Sequence, residues 1–214
     1  MRNTWPMWNA AARGFALALA LLLCAGCASV DPVVKIGLVA PFEGRHRDIG
    51  YDAVYSARLA VRQVNEAGGI GGYRVALVAL DDRGDEELAK QAAASLAVDP
   101  GVVAVIGHYL PQTSGSALPV YEQNGLPFLQ MGISPFTAGD PQDLPTEFTA
   151  DYNALTPFDE TPGPFAGPTY DAFGLLLAAL AKAEENTGTI TRSSVQESLD
   201  GLKYEGITGE VYQP

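Results

Sequence analysis

The sequence predicts an α/β fold built on a doubly wound parallel sheet. Two observations carry that reading. Along residues 33–131 four short apolar runs alternate with three amphipathic helical stretches, the order that parallel crossover units leave in a sequence. The runs are nearly continuous rather than alternating, as strands covered on both faces require.

Val33 to Ala40 (VVKIGLVA) is the first run and reads as a central strand. Pro41 to Ile49 is a loop. Tyr51 to Ala67 is helical in pattern, because Val54, Ala57, Val61 and Val64 recur at spacings of three and four, and Gly68-Gly69 stops it. Arg74 to Leu80 is a second strand, ending in Asp81-Asp82. A second helix spans Asp85 to Val98, with Leu88, Ala92, Ser95 and Leu96 on one side. Val102 to Gly107 is the third strand, Ser114 to Gln123 the third helix and Pro127 to Met131 the fourth strand. Crossovers between parallel strands are right-handed, which leaves few topologies. Beyond residue 135 the pattern changes. Residues 136–145 are rich in Pro, Gly and Asp and read as a linker. Glu147 to Leu155 is a short helix, and Thr156 to Pro168, with four prolines, is a loop. Tyr170 to Glu185 is the most apolar helix of the body, Ser193 to Leu202 is a further amphipathic helix, and Thr208 to Tyr212 is a last strand.

Residues 1–26 have the character of a lipoprotein signal peptide. Arg2 and Arg13 supply positive charge, and no acid occurs before Asp31. Gly14 to Leu23 is unbroken and apolar, shorter than the roughly 20 residues a membrane span needs and suited to a secretory h-region. Leu23-Cys24-Ala25-Gly26-Cys27 places small residues before a cysteine, as a bacterial lipobox does, although Cys24 stands where leucine is usual. Cys27 is the expected lipid attachment point and residues 27–32 a tether. An ordinary secretory leader with incidental cysteines is the alternative. The expected location is therefore extracytoplasmic, in the periplasm or at the cell surface, with the chain lipid-anchored to membrane.

Both cysteines of the chain lie in this leader, so the body must close without a disulfide. The formal charge is −12, and loss of Arg2 and Arg13 with no acid takes it to −14. An acidic body without a basic stripe does not suit nucleic acid.

Open parallel sheets bind ligands beyond the carboxyl ends of their strands. There the sequence places Glu43 to Gly50, Asp81 to Arg83, His108 to Ser114, and Gly132 to Ser134. The turn after the third strand runs straight into a helix, whose first N–H groups attract anions. Thr113 and Ser114 add hydroxyls there, and capping of that helix by either one is the plainer expectation. Ser134 is either a second contact or a turn serine before Pro135. Asp81 and Asp82 without further ligands make a poor metal site and read as a cap and loop solvation. No G-x-S-x-G elbow, P-loop or G-x-G-x-x-G is present, so neither an enzyme nor a cofactor is expected.

The words KIGLVAPFEG, ARLAVRQVNEAGGIGGYRVALVALDDRGD, VVAVIGH and ALPVYEQNGLPFL, followed late in the chain by TYDAFGLLLAALAKA and LDGLKYEGITGEV, resemble type I periplasmic solute-binding proteins of the branched-chain amino acid (leucine/isoleucine/valine) ABC-transporter type. The resemblance implies a Rossmann-like lobe that faces a second lobe across a ligand cleft and delivers an amino acid-like solute to an ABC permease. Here residues 33–135 match the early first-lobe segment and residues 146–214 the late one. Residues 136–145 stand where the second lobe would be inserted, so a single, shortened lobe is expected. The family's ligand contacts fall on Ile49 in the first loop and on Gly132 and Ser134 after the fourth strand. The family's carboxylate-binding serine falls on Pro111, which cannot donate, with Thr113 and Ser114 nearby to compensate. An incomplete cleft is thus implied. The alternatives are a lobe that no longer transports, or a homodimer in which a second copy supplies the missing wall.

Overall fold

A computed structural model describes residues 31–158 and 160–213. The leader, with Cys24 and the expected lipid site Cys27, lies outside the described residues.

Strands β1 (Val33–Ala40), β2 (Arg74–Asp81), β3 (Val102–Gly107) and β4 (Phe128–Gln130) form one parallel sheet in the order β2-β1-β3-β4. Helices α1 (Arg47–Glu66), α2 (Glu86–Ala97) and α3 (Pro111–Gln123) connect them. The α/β reading therefore holds. Its physical basis is visible in β1, where Ile36, Leu38 and Ala40 face one core and Val39 the other, all without solvent exposure.

One face of the sheet packs on α1 and on two helices of the late segment, α5 (Ala166–Thr187) and α6 (Arg192–Leu199). Phe173, Leu175, Leu176, Ala179 and Leu180 of α5 are fully buried there, and the phenylalanine and each leucine contribute about 1.5–3 kcal/mol on leaving water. The other face packs on α2 and α3 through Ala89, Ala93, Leu96, Ala117 and Tyr121. Helix α4 (Thr146–Leu155) lies beside α1, with Phe148 and Tyr152 against Leu59. The early and late segments thus share one core.

Several helix starts differ from the sequence reading. Helix α1 begins at Arg47 rather than Tyr51, because His46 occupies the cap without a side-chain bond and so leaves no signal. Helix α3 begins at Pro111 rather than Ser114, and α5 at Ala166 rather than Tyr170. Proline is compatible with a first helical turn, where its missing N–H has no partner to lose. Within 136–145 the chain makes a single 3-10 turn at Pro141–Asp143, capped by Asp140. The last strand pairs in a small hairpin, β5 (Tyr204–Glu205) against β6 (Val211–Tyr212), and does not join the main sheet.

Candidate functional site

The strand register brings the carboxyl ends of the sheet to one level. Ala40 stands beside Asp81, Val39 beside Gly107, and Gly107 beside Gln130. The chain leaves β1 toward β2 on one side and returns across it to β3 on the other. The junction of β1 and β3 is therefore the topological switch point, where open α/β sheets place ligands. Gly107 makes this junction feasible. It has φ +144°, and a Cβ there would lie 2.1 Å from the Val39 carbonyl oxygen.

Three loops meet over this edge. A Cβ on Gly84 would lie 3.0 Å from Leu110 Cδ1 and 3.6 Å from His46 Cδ2, so the turns after β1, β2 and β3 are neighbours. Asp81 ties two of them, accepting from the Phe42 and Arg83 amides at 2.8 and 2.9 Å. Asp82 is fully buried and accepts from the Gly84 amide and the His108 ring, each at 2.9 Å. Neither aspartate caps α2. That role belongs to Asp85, whose carboxylate accepts from the Glu87 and Leu88 amides. Among the described residues no three His, Cys, Asp or Glu side chains are grouped as a metal ion needs.

The N-terminus of α3 lies on this edge. Its cap is Leu110, which has no side-chain bond to offer, so Thr113 and Ser114 do not cap the helix as expected from sequence. The Ser114 amide returns to the Leu110 carbonyl at 3.0 Å, and Pro111 has no N–H. Among the described residues the Gln112 and Thr113 amides find no intrahelical or capping partner, the arrangement that attracts an anion. The hydroxyls of Thr113 and Ser114 are buried and donate into the chain, to the Leu110 carbonyl at 2.9 Å and the His108 carbonyl at 2.7 Å.

Of the other residues singled out in the sequence, Gly132 stands against this turn. A Cβ there would lie 2.3 Å from the Tyr109 carbonyl oxygen, and its amide donates to the Phe136 carbonyl at 2.9 Å. Ile49 sits in the first turn of α1, half-buried against the core, with its amide on the His46 carbonyl. Ser134 lies farther along the exposed loop after β4.

Sequence reasoning missed the support that the late segment gives this edge. Tyr109, fully buried, shares a hydrogen bond of 2.8 Å with Thr169 and packs edge-on against Phe165 at 5.4 Å. Asp52 of α1 accepts from the Gly163 and Phe165 amides, both at 3.0 Å. Burial pushes the Asp52 carboxyl up to about 6; the two amides pull the other way, and Asp48 adds to the rise. Burial likewise raises the Tyr109 phenol, so it stays protonated. The one signal in the sequence was an acid on an apolar helical stripe. A cavity of about 230 Å³ lies between the 135–144 segment, the 163–168 turn and residues 208–212, with Asp140, Asp143 and Glu210 on its wall.

Known proteins share both the sequence and the fold. The Leu/Ile/Val-binding protein homolog 1 of Brucella abortus is 36% identical over 113 residues, which are 53% of this chain and 29% of that protein. The chain thus spans under a third of the curated relatives it matches. The crystal structure of LivJ from Streptococcus pneumoniae, a branched-chain amino acid transporter substrate binding protein in complex with isoleucine, superposes with a TM-score of 0.68 at 15% identity, covering 83% of this chain and 91% of that one. A solute binding protein of an ABC transporter from Rhodopseudomonas palustris, in complex with 3,4-dihydroxybenzoic acid, superposes with a TM-score of 0.67 at 14% identity, covering 83% and 87%. These two likenesses establish the fold, and each covers more of this chain than the sequence match to the Brucella abortus protein does. The sequence model described as "Periplasmic binding protein" matches residues 33–146, from β1 through every loop of the switch-point edge. With more than half of its length matched, the chain belongs to the periplasmic binding protein family, whose members bind solutes and are not enzymes.

Proposed function

We propose that the chain is the extracytoplasmic substrate-binding component of an ABC transporter and takes a small carboxylate-bearing solute, of the branched-chain amino acid type, at the switch-point edge. The unpaired Gln112 and Thr113 amides at the start of α3 carry this reading. Arg45 and Arg83 stand on the loops of the same edge, and Arg47 begins α1 beside them, in an otherwise acidic chain. The ligands of the two superposed relatives, isoleucine and 3,4-dihydroxybenzoic acid, have a carboxylate in common. In this assignment the α3 amides hold the carboxylate. Gly132 and Ser134 contact the head group, Ile49 offers apolar contact, and Thr113 and Ser114 hold the turn through their inward hydroxyls. Lipid on Cys27 would keep the protein beside its permease.

The edge is open, and that sets its affinity. Two amide hydrogen bonds to a carboxylate contribute about 1.5–3 kcal/mol each and an exposed helix start about 0.3–1 kcal/mol, against an association cost of about 4 kcal/mol or more. The balance is millimolar or weaker. Titration with leucine, followed by amide NMR, should shift Gln112 and Thr113 with a millimolar midpoint. Micromolar affinity in a monomer would overturn the open-edge reading, and no shift at these amides would overturn the site.

A second reading is favoured by exposure. Tyr51, Ile133 and Phe158 are 42%, 44% and 82% exposed, large apolar side chains of the kind a second copy would cover. In that reading the lobe does not transport and pairs with a second copy. Light scattering that finds only monomers at high concentration would rule the pairing out.

A further inference from the structure

Beneath the switch-point edge, Asp82, His108 and Tyr121 form a buried chain of side chains. His108 Nδ1 lies 2.9 Å from Asp82 Oδ2 and Nε2 lies 2.9 Å from the Tyr121 hydroxyl, with both rings and the carboxylate shielded from water. We propose that this network is a positioning device for the binding edge, with His108 protonated on Nδ1 alone, and that it holds the α3 amides where a carboxylate meets them. The proposal rests on the binding reading above.

Hydrogen-bond counting assigns the tautomer. With the proton on Nδ1, that N–H donates to Asp82, and Nε2 accepts from the Tyr121 hydroxyl. Every donor then has an acceptor. A second proton on Nε2 would turn it into a donor toward Tyr121 and leave the buried phenol O–H with no acceptor, a cost that interiors avoid. Burial keeps that phenol protonated, so it remains the donor.

The backbone shows what the network holds. His108 has φ +39°, a conformation uncommon for any residue with a side chain. Its amide donates to the Val39 carbonyl of β1 at 2.9 Å, and its carbonyl accepts the Ser114 hydroxyl of α3 at 2.7 Å. Asp82 in turn donates its amide to the Ala40 carbonyl of β1 and accepts that of Asp85. One side chain, the His108 ring, thus joins the turn after β2 to the body of α3, and its own backbone joins β1 to the start of α3. Gln112 and Thr113 lie in the chain between His108 and Ser114, the two residues that the carbonyl–hydroxyl bond ties together. The ring also packs against Phe128 at 5.8 Å, so its apolar contacts survive loss of the phenol.

The test compares the full protein with Tyr121→Phe, which keeps the aromatic packing and removes the hydroxyl. In the unmutated protein without ligand, imidazole nitrogen NMR should show one protonated nitrogen, Nδ1. Protonation at Nε2 or at both nitrogens would overturn the assignment. In Tyr121→Phe, exchange of the Ser114 amide, which is bonded to the Leu110 carbonyl, should rise about fivefold, the factor for one lost hydrogen bond of about 1 kcal/mol, and the leucine midpoint should weaken by a similar factor. Changes confined to residues 121 and 128, with 110–114 unmoved, would overturn the positioning role. Should leucine move no amide even before mutation, the binding reading fails, while the tautomer and exchange measurements still decide whether the network holds the turn.

Discussion

Replacing Asp52 with asparagine should change the pH dependence of folding stability in a defined direction. Asp52 is 8% exposed and holds the 163–165 turn onto α1 through two amide hydrogen bonds. Gly163 is what lets the turn approach, since a Cβ there would lie 2.5 Å from Asp52 Oδ2. The carboxyl rises from 3.8 to about 6 on burial. A carboxyl raised in the folded state binds its proton more tightly there than in the unfolded chain, so its contribution is fully present below the unfolded value and is lost as pH rises through about 6. The full difference is about 3 kcal/mol at about 1.4 kcal/mol per unit, and about 2 kcal/mol of it falls between about pH 4.5 and pH 7. The substituted amide cannot titrate, and the other carboxylates are common to both proteins. Asp52→Asn should be the less stable protein near pH 4.5, by about 1–3 kcal/mol, because its amide group opposes one of the two N–H donors. The gap should close by about 2 kcal/mol toward pH 7. Urea unfolding of both proteins across this range measures the difference directly. A gap independent of pH would show that Asp52 titrates alike folded and unfolded, and would refute the argument.

Two further outcomes follow from side chains outside the edge. Arg192 donates to the carbonyls of Val102, Asn124, Ala97 and Asp99 at 2.9–3.3 Å, gathering the ends of α2 and α3 and the start of β3. Arg192→Ala should lower stability by about 2–3 kcal/mol, and Arg192→Lys should recover little of it, since one ammonium cannot serve a planar set of acceptors. Equal urea midpoints for Arg192→Lys and the parent would contradict this. Ser56 has a fully buried hydroxyl with no hydrogen-bond partner among the described residues, so Ser56→Ala should stabilise α1 by about 1 kcal/mol, read as a higher Tm; a lower Tm would count against it.

The strands were legible because a doubly covered strand has to be apolar at nearly every position, and Val33–Ala40 and Val102–Gly107 are so composed. Helix starts were less legible where the cap is made by backbone alone. His46, Leu110 and Phe165 cap α1, α3 and α5 without a side-chain bond, whereas Asp85 and Thr191 use theirs and mark their helices clearly. The edge itself was legible, since parallel strands put all their carboxyl ends, and the loops that follow them, on one side of the sheet. Its chemistry was not. Adjacent aspartates at 81 and 82 look alike in sequence, yet the partner that buries Asp82 is 26 residues away. Thr113 and Ser114 were read as candidate donors to a ligand, but a hydroxyl inside a first helical turn has nearby carbonyls to satisfy, and both are spent on them.

The described body contains no cysteine, so something other than a covalent bridge must hold distant segments together. Buried carboxylates do so. Asp52 accepts amides of residues 163 and 165, and Asp82 takes the His108 ring. Asp171, fully buried on α5, accepts from the Ile207 and Thr208 amides and the Thr208 and Tyr212 hydroxyls, fixing the β5–β6 hairpin. Each clamp sets a charge-assisted bond, about twice as strong as a neutral one, against the cost of burying the charge. For Asp52 the raised carboxyl shows that two amides leave part of that cost unmet. Asp171 has four donors on its two oxygens and is the better compensated. Opening should therefore begin at the 163–165 turn, which is also the turn that presses Phe165 against Tyr109 at the switch-point edge. Stability and the shape of the edge are in this way set by the same aspartate.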